Sequence, residues 1–380
     1  MKSFILHVTG CICLILNSCI TEYTARGLNE QENILVVEGM ISEGQFTITL
    51  SKSVRLTNVN PGNIVYVNHA HVVVQCDDGT QIQADNNDPS FETTNGQYTF
   101  HIDKLNFDRQ YRLQIILKED GIQTLEYCSE YQVPIKTPEI DSIFYTKAGY
   151  REPVIIHVTT QSSDEDVLYF QWSFTEDWEI HANLMSFEPF VYPYYCWGKT
   201  ESQDLLIGSA QRTVEGRLTD RITEIRPTDR KLRLLYRIRV KQHALSKRAY
   251  EYFSNIKKNV RETGDIFSPI PSEISGNITC ITDPDRPVIG YVEVSTASRN
   301  ERYLDWYDNV FEYSESYLNC EGSAYRSTIV DFIIMESGEK YVPFAWEYNE
   351  TGDFVVVYKN IRCVDCTLYN ATTIRPDDWP

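Results

Sequence analysis

At 380 residues, 42% hydrophobic and 23% charged, the chain has material for about two domains of roughly 100–200 residues, each able to bury a core. A net charge of −19 argues against binding nucleic acid or anionic lipid through the field of the whole protein. The 25 tyrosines favour half-buried pleated surface, and so strands.

Lys2 is followed by FILHVTGCICLILNSC. A signal-peptide core needs roughly 7–15 apolar residues and a membrane-spanning helix about 20; this stretch is of the first kind. Leu16-Asn17-Ser18-Cys19 is similar to the bacterial lipobox. There a small residue before the Cys lets the peptidase close on the scissile bond, and the thiol accepts the acyl chain. Asn17 departs from the commonest pattern. Residues 1–18 are therefore expected to be a lipoprotein signal peptide, with Cys19 lipidated and holding the protein to a membrane. Residues 19–32, ITEYTARGLNEQE after the Cys, are polar and without apolar periodicity, which predicts a flexible tether.

From Asn33 to about residue 135 the pattern is strand after strand. ILVVEGMI and QFTITLSKS are separated by Ser42-Glu43-Gly44, and Asp78-Gly79 stands between two alternating runs, a strong hairpin cue. Asp120-Gly121 marks another turn. About seven short strands in this space predict an immunoglobulin-like β-sandwich over 33–135. Pro134 and Pro138 then mark an extended linker.

Residues 139–380 are expected to form a second β-rich domain. PVIIHVTT, LYFQWSF, KLRLLYRIRV, VIGYVEVS, VDFIIM and DFVVVY read as its strands. One helix is predicted over 246–263, capped by Ser246 and ended by Gly264. Its stripe of Ala249, Phe253, Ile256 and Val260 would pack on a sheet.

Setting aside Cys11, Cys13 and Cys19 leaves seven cysteines. In an oxidising envelope disulfides are the default, and an odd count leaves a thiol unpaired. The CVDC at Cys363–Cys366 follows a strand but precedes no helix, which speaks against a redox motif. A zinc ribbon would need a second such pair. A structural disulfide is expected here, with Cys320 a candidate partner for Cys363 or Cys366.

The order of blocks resembles a family of Bacteroidota lipoproteins called domain of unknown function 4249. LVVEGMI, ITLSKS, IDSI at 140–143 and YCW at 195–197 carry the likeness first. HALSKRAYEYFSNIKKNV through IFSPIPSEISGNIT to PVIGYVEVS is its most specific block, and RCVDCT and IRPDDW close it. Cys280 is not a family mark. The resemblance implies an outer-membrane-anchored, β-rich protein, often encoded beside TonB-dependent transporters, and carries over no catalytic residues. Only Glu22 stands close after Cys19, where surface-exposed lipoproteins often carry a dense acidic signal, so the membrane face stays open.

No G-x-S-x-G, H-E-x-x-H, Walker loop or G-x-G-x-x-G is present, and no catalytic residue, cofactor or metal is assigned. His69 and His71 lack a visible third ligand, so a polar strand edge is the preferred reading. Glu176, Asp177, Glu179 and His181 gather beside two Trp. Nearness in sequence does not place two carboxylates across a substrate, so a solvated loop or strand edge is expected. FEPFVYPYYCWGK at 187–199 is the best binding candidate. Tyr192, Tyr194, Tyr195 and Trp197 are either exposed contact area or core pinned by a disulfide through Cys196. The function expected is a non-enzymatic accessory protein of a TonB-dependent transporter in nutrient uptake, with ligand unknown. The alternatives are a cell-envelope hydrolase acting on glycan or peptide and an adhesin-like surface module.

Overall fold

The computed structural model describes residues 34–53, 64–85, 95–119, 123–164, 166–211, 213, 216–263, 276–312, 320, 325–327, 333–334 and 340–380. The expected signal peptide, Cys19 and tether lie outside the described residues, as do Asp120-Gly121 and Gly264.

The molecule is mainly β. Its first strands are β1 (Leu35–Glu38), β2 (Met40–Ile41), β3 (Gly44–Lys52), β4 (Val65–Tyr66), β5 (Ala70–Cys76), β6 (Gln81–Gln83), β7 (Gln97–Ile102), β8 (Tyr111–Glu119) and β9 (Gln123–Ser129). β3 pairs antiparallel with β1, β4 and β7; β5 lies between β6 and β8, and β9 follows β8. Alternation selects the inward rows: Tyr98, Phe100 and Ile102 of β7 are buried while His101 between them is exposed. Both sheets contribute to one apolar core, with Ile48, Leu50, Val72, Val74, Leu113 and Ile115 inside. Each such side chain contributes about 1.5–3 kcal/mol when fully buried, so burial holds this sandwich together.

The chain then gives β10 (Ile140–Thr146), β11 (Val154–Gln161), β12 (Tyr169–His181), β13 (Tyr195–Glu201), β14 (Leu206–Ser209), β15 (Arg217–Ile225) and β16 (Tyr236–Leu245). Helix α1 (Lys247–Thr263) follows, then β17 (Ile278–Cys280), β18 (Val288–Gly290), β19 (Glu293–Val294) and β20 (Ala297–Leu304). KLRLLYRIRV does not form one strand: Arg230–Leu232 is a short 3-10 turn, and β16 begins only at Tyr236.

The 139–380 region, expected to form the second β-rich domain, also contributes strands to the first sheets. β18 pairs parallel with β1, β17 antiparallel with β9, and β19 parallel with β2. Residues 278–294 thus return to the sandwich. Without them β1 and β9 would carry bare strand edges, and Ile278, Cys280, Val292 and Val294 would be missing from its core. Gly290 has φ +154, and a Cβ there would fall 2.5 Å from the Val37 carbonyl oxygen. Only glycine allows β18 to lie this close to β1.

The rest of the second region stacks two sheets, β10-β11-β15 against β20-β16-β12-β13, with β14 beside β12. Phe170 and Trp172 of β12 meet Ile156, Ile238 and Val240 between them. Tyr169 points to the other face and packs under α1 with Leu245, Ala249, Tyr252 and Tyr291. The Ser246 hydroxyl accepts the Ala249 N–H at 3.2 Å, a helix cap. Ala249, Phe253 and Ile256 pack as the stripe expected, joined by the buried Tyr252; the Val260 side chain lies outside the described residues.

A smaller sheet ends the chain: β21 (Tyr325–Ser327), β22 (Ile333–Ile334), β23 (Lys340–Tyr348) and β24 (Phe354–Asn360). Short helix α2 (Ile361–Val364) and β25 (Ala371–Thr372) follow, and β25 pairs with β13. No helix among the described residues is long and apolar enough to cross a membrane.

Candidate functional site

The acidic stretch is neither a solvated loop nor a strand edge. It lies within β12, flanked by β13 and β16, so Glu176 and Asp177 face opposite sides of the sheet. Glu176 is buried and accepts from Lys231 Nζ at 3.0 and 2.9 Å and from the Tyr236 hydroxyl at 2.6 Å. Burial, and then Glu176 beside it, push the Tyr236 phenol well above its ordinary pKa, so it remains a donor.

On the other face, Asp177 Oδ2 accepts from Arg237 Nη2 at 3.0 Å and Arg239 Nη2 at 2.7 Å. Asp378, in the C-terminal IRPDDW, takes the same two arginines at 3.0 Å each. Burial pulls the Arg237 guanidinium down, but hydrogen bonds to Asp378, Tyr303 and Asp177 outweigh it and hold its pKa above the arginine range. Glu176 and Asp177 are therefore each neutralised by cations from nearby strands and turns. Glu179 and His181, also on this face, bond to each other at 2.5 Å and remain half-buried.

The four candidate aromatics divide. Tyr192 packs in a cluster around the Cys320–Cys363 disulfide. Tyr194 packs beside Cys196–Cys366, and Trp197 is half-buried with its indole N–H buried and unpartnered. Tyr195 is exposed, its ring edge-on to His181 at 4.7 Å. The two cysteines of CVDC do not bond each other; each staples a different part of the chain to α2 and the turn after it.

Beyond Tyr195 the exposed aromatic area lies elsewhere. Phe187 and Val191 stand 70% and 62% exposed on either side of Phe190, whose ring meets Trp346 at 6.0 Å. Trp346 stacks on Phe354 at 4.6 Å, and Phe354 meets Tyr348 at 5.3 Å. Phe354 and Tyr348 are cross-strand partners in β23–β24 and are 52% and 75% exposed. This row of rings, running from the 187–191 loop onto the hairpin, is rigid amphipathic contact area of the kind that anchors protein interfaces. The alternation Trp346-Glu347-Tyr348 ahead of a turn was the signal that could have revealed it. His69 and His71 are exposed, and no group of three or more His, Cys, Asp or Glu able to hold a metal occurs among the described residues.

A family model, Domain of unknown function (DUF4249), matches residues 20–301. The chain belongs to the DUF4249 family. The sandwich, β12 and the 187–191 loop of this DUF4249 protein fall inside the match, whereas the aromatic hairpin, RCVDCT and IRPDDW lie beyond it. No curated protein matches the chain.

Proposed function

We propose that the chain is a non-enzymatic lipoprotein, anchored to the outer membrane through Cys19, that binds a TonB-dependent transporter and assists nutrient uptake. The observation that carries this reading is the row in which exposed Phe354 and Tyr348 continue from half-buried Phe190 and Trp346, with exposed Phe187 and Val191 beside it. A contiguous apolar surface of this sort marks an interaction site. The kinds of gene found beside members of the family, as the resemblance implies, point to the partner. Support over a hydrolase comes from Glu176 and Asp177, which are occupied by Lys231, Arg237 and Arg239 and face opposite ways.

The test is affinity purification of the tagged full chain from detergent-solubilised outer membranes. A TonB-dependent transporter is expected with the wild type and strongly depleted with the double variant Phe354→Ser, Tyr348→Ser. Recovery of no transporter, or undiminished recovery with the variant, overturns the reading.

A further inference from the structure

A cavity of about 570 Å³ opens where the sandwich, β12, β14 and α1 meet. It is lined by Met40, Leu206, Phe253, Ile256 and Ile289, among others, and the backbone of Gly39 and Gly290 forms part of its wall. Gly39 has φ +133, and a Cβ there would fall 2.6 Å from the Thr47 carbonyl oxygen. Only glycine lets the chain pass this close to β3.

Two polar atoms in residues of this wall have unmet hydrogen-bonding capacity. Gln171 Oε1 is buried and unbonded, and the buried Tyr252 hydroxyl has the Gly290 backbone N–H beside it but no acceptor for its own proton; Tyr252 as a whole is only 4% exposed. Native proteins seldom leave buried polar atoms unmet, and two in one cavity wall are better explained by a ligand than by packing. Burial pushes the Tyr252 hydroxyl up to about 12, so it is present as a donor across the working pH range. Glu38, Asp204 and Lys257 carry the charges of the lining, two carboxylates to one ammonium, which disfavours an anion. A largely apolar cavity at a junction between structural units, with a few convergent polar groups, is the usual form of a small-molecule site.

We propose that this cavity binds a small neutral molecule with an aromatic or branched aliphatic body, whose N–H or O–H donor meets Gln171 Oε1 and whose acceptor takes the Tyr252 hydroxyl. The site is separate from the exposed aromatic row and stands independently of the transporter reading.

N-acetyltryptophanamide, neutral and carrying both donor and acceptor, is a suitable probe. It is titrated against the purified full chain by saturation-transfer NMR. Saturable binding is expected for the wild type. Gln171→Leu and Tyr252→Phe should each weaken it about tenfold, the loss of one hydrogen bond to a buried group. Gln171→Leu should keep or raise the melting temperature, since it removes an orphaned polar atom, and Tyr252→Phe should remain folded by circular dichroism. Ile256→Trp, which fills the cavity from α1, should abolish binding while leaving the circular dichroism spectrum intact. Absence of saturable binding to the wild type, or equal binding by all three folded variants, overturns the proposal.

Discussion

In the sandwich, the buried rows of β3, β5, β7 and β8 are apolar, and the buried cysteines Cys76, Cys128 and Cys280 stay unbridged. The outer face of the six-stranded sheet is built otherwise. Asp177, Arg237, Arg239 and Asp378 pack together there, and two disulfides hold the loops and C-terminal turns beside it. Two closed sheets with alternating inward rows can be held by burial alone. A sheet face covered by irregular chain has no matching apolar row to meet it, and ion pairs and crosslinks fix that chain instead.

The largest expected effect breaks this contrast at Arg237. Arg237→Ala leaves Asp177, 2% exposed, as a buried charge with only the half-exposed Arg239 beside it, and should cost about 3–5 kcal/mol. The double variant Arg237→Met, Asp177→Leu should recover most of that loss, because a buried ion pair replaced by apolar groups is often neutral. Denaturant unfolding measures both, and hydrogen exchange in β12 and β16 locates the change. A cost below about 1 kcal/mol for Arg237→Ala would mean that the network is ornamental.

The disulfides sharpen the same comparison. Cys196–Cys366 spans 170 residues and Cys320–Cys363 spans 43, and removing each should cost about 2–4 kcal/mol. A reductant should therefore loosen β23, β24 and the C-terminal turns while leaving exchange protection in β7 and β8 unchanged. Equal loosening of both regions would show that the crosslinks support the whole molecule rather than one part.

What was legible in the sequence follows this division. The alternation of β7 and β8, the Asp78-Gly79 turn between β5 and β6, and α1 with its Ser246 cap are local signals, and the structure forms each where the pattern places it. The return of 278–294 is not local. VIGYVEVS reads as one strand, but Gly290 breaks it so that β18 and β19 join β1 and β2 separately. The acidic stretch read as solvated because its neutralising arginines stand 60 and 62 residues away on β16. Tyr192 and Tyr194 were ambiguous for a similar reason: the disulfides beside them join positions that no spacing rule connects.

A pH dependence is expected at the junction of the two regions. His243 lies on β16 with Nδ1 3.2 Å from the Ser295 hydroxyl, and the cations Lys241 and Arg299 stand near it. Burial first, then Lys241 and Arg299, pull its pKa from 6.5 down to about 3. In the folded protein the ring therefore stays neutral over a range in which the unfolded chain takes up a proton. More protons on the unfolded state means stability falls as pH drops from 6.5 towards about 3, by up to about 1.4 kcal/mol per unit. Glu293, whose burial raises its pKa, works in the opposite direction over part of that window. The informative measurement is thus the difference between wild type and His243→Gln, followed by denaturant unfolding at several pH values. The variant should lose part of the acid slope, and exchange in β16 under α1 should lose its pH dependence while β7 is unaffected. Parallel slopes for the two proteins would show that His243 is not the source, and would point to Asp378, whose carboxyl is held below its ordinary pKa first by its hydrogen bond from Arg237.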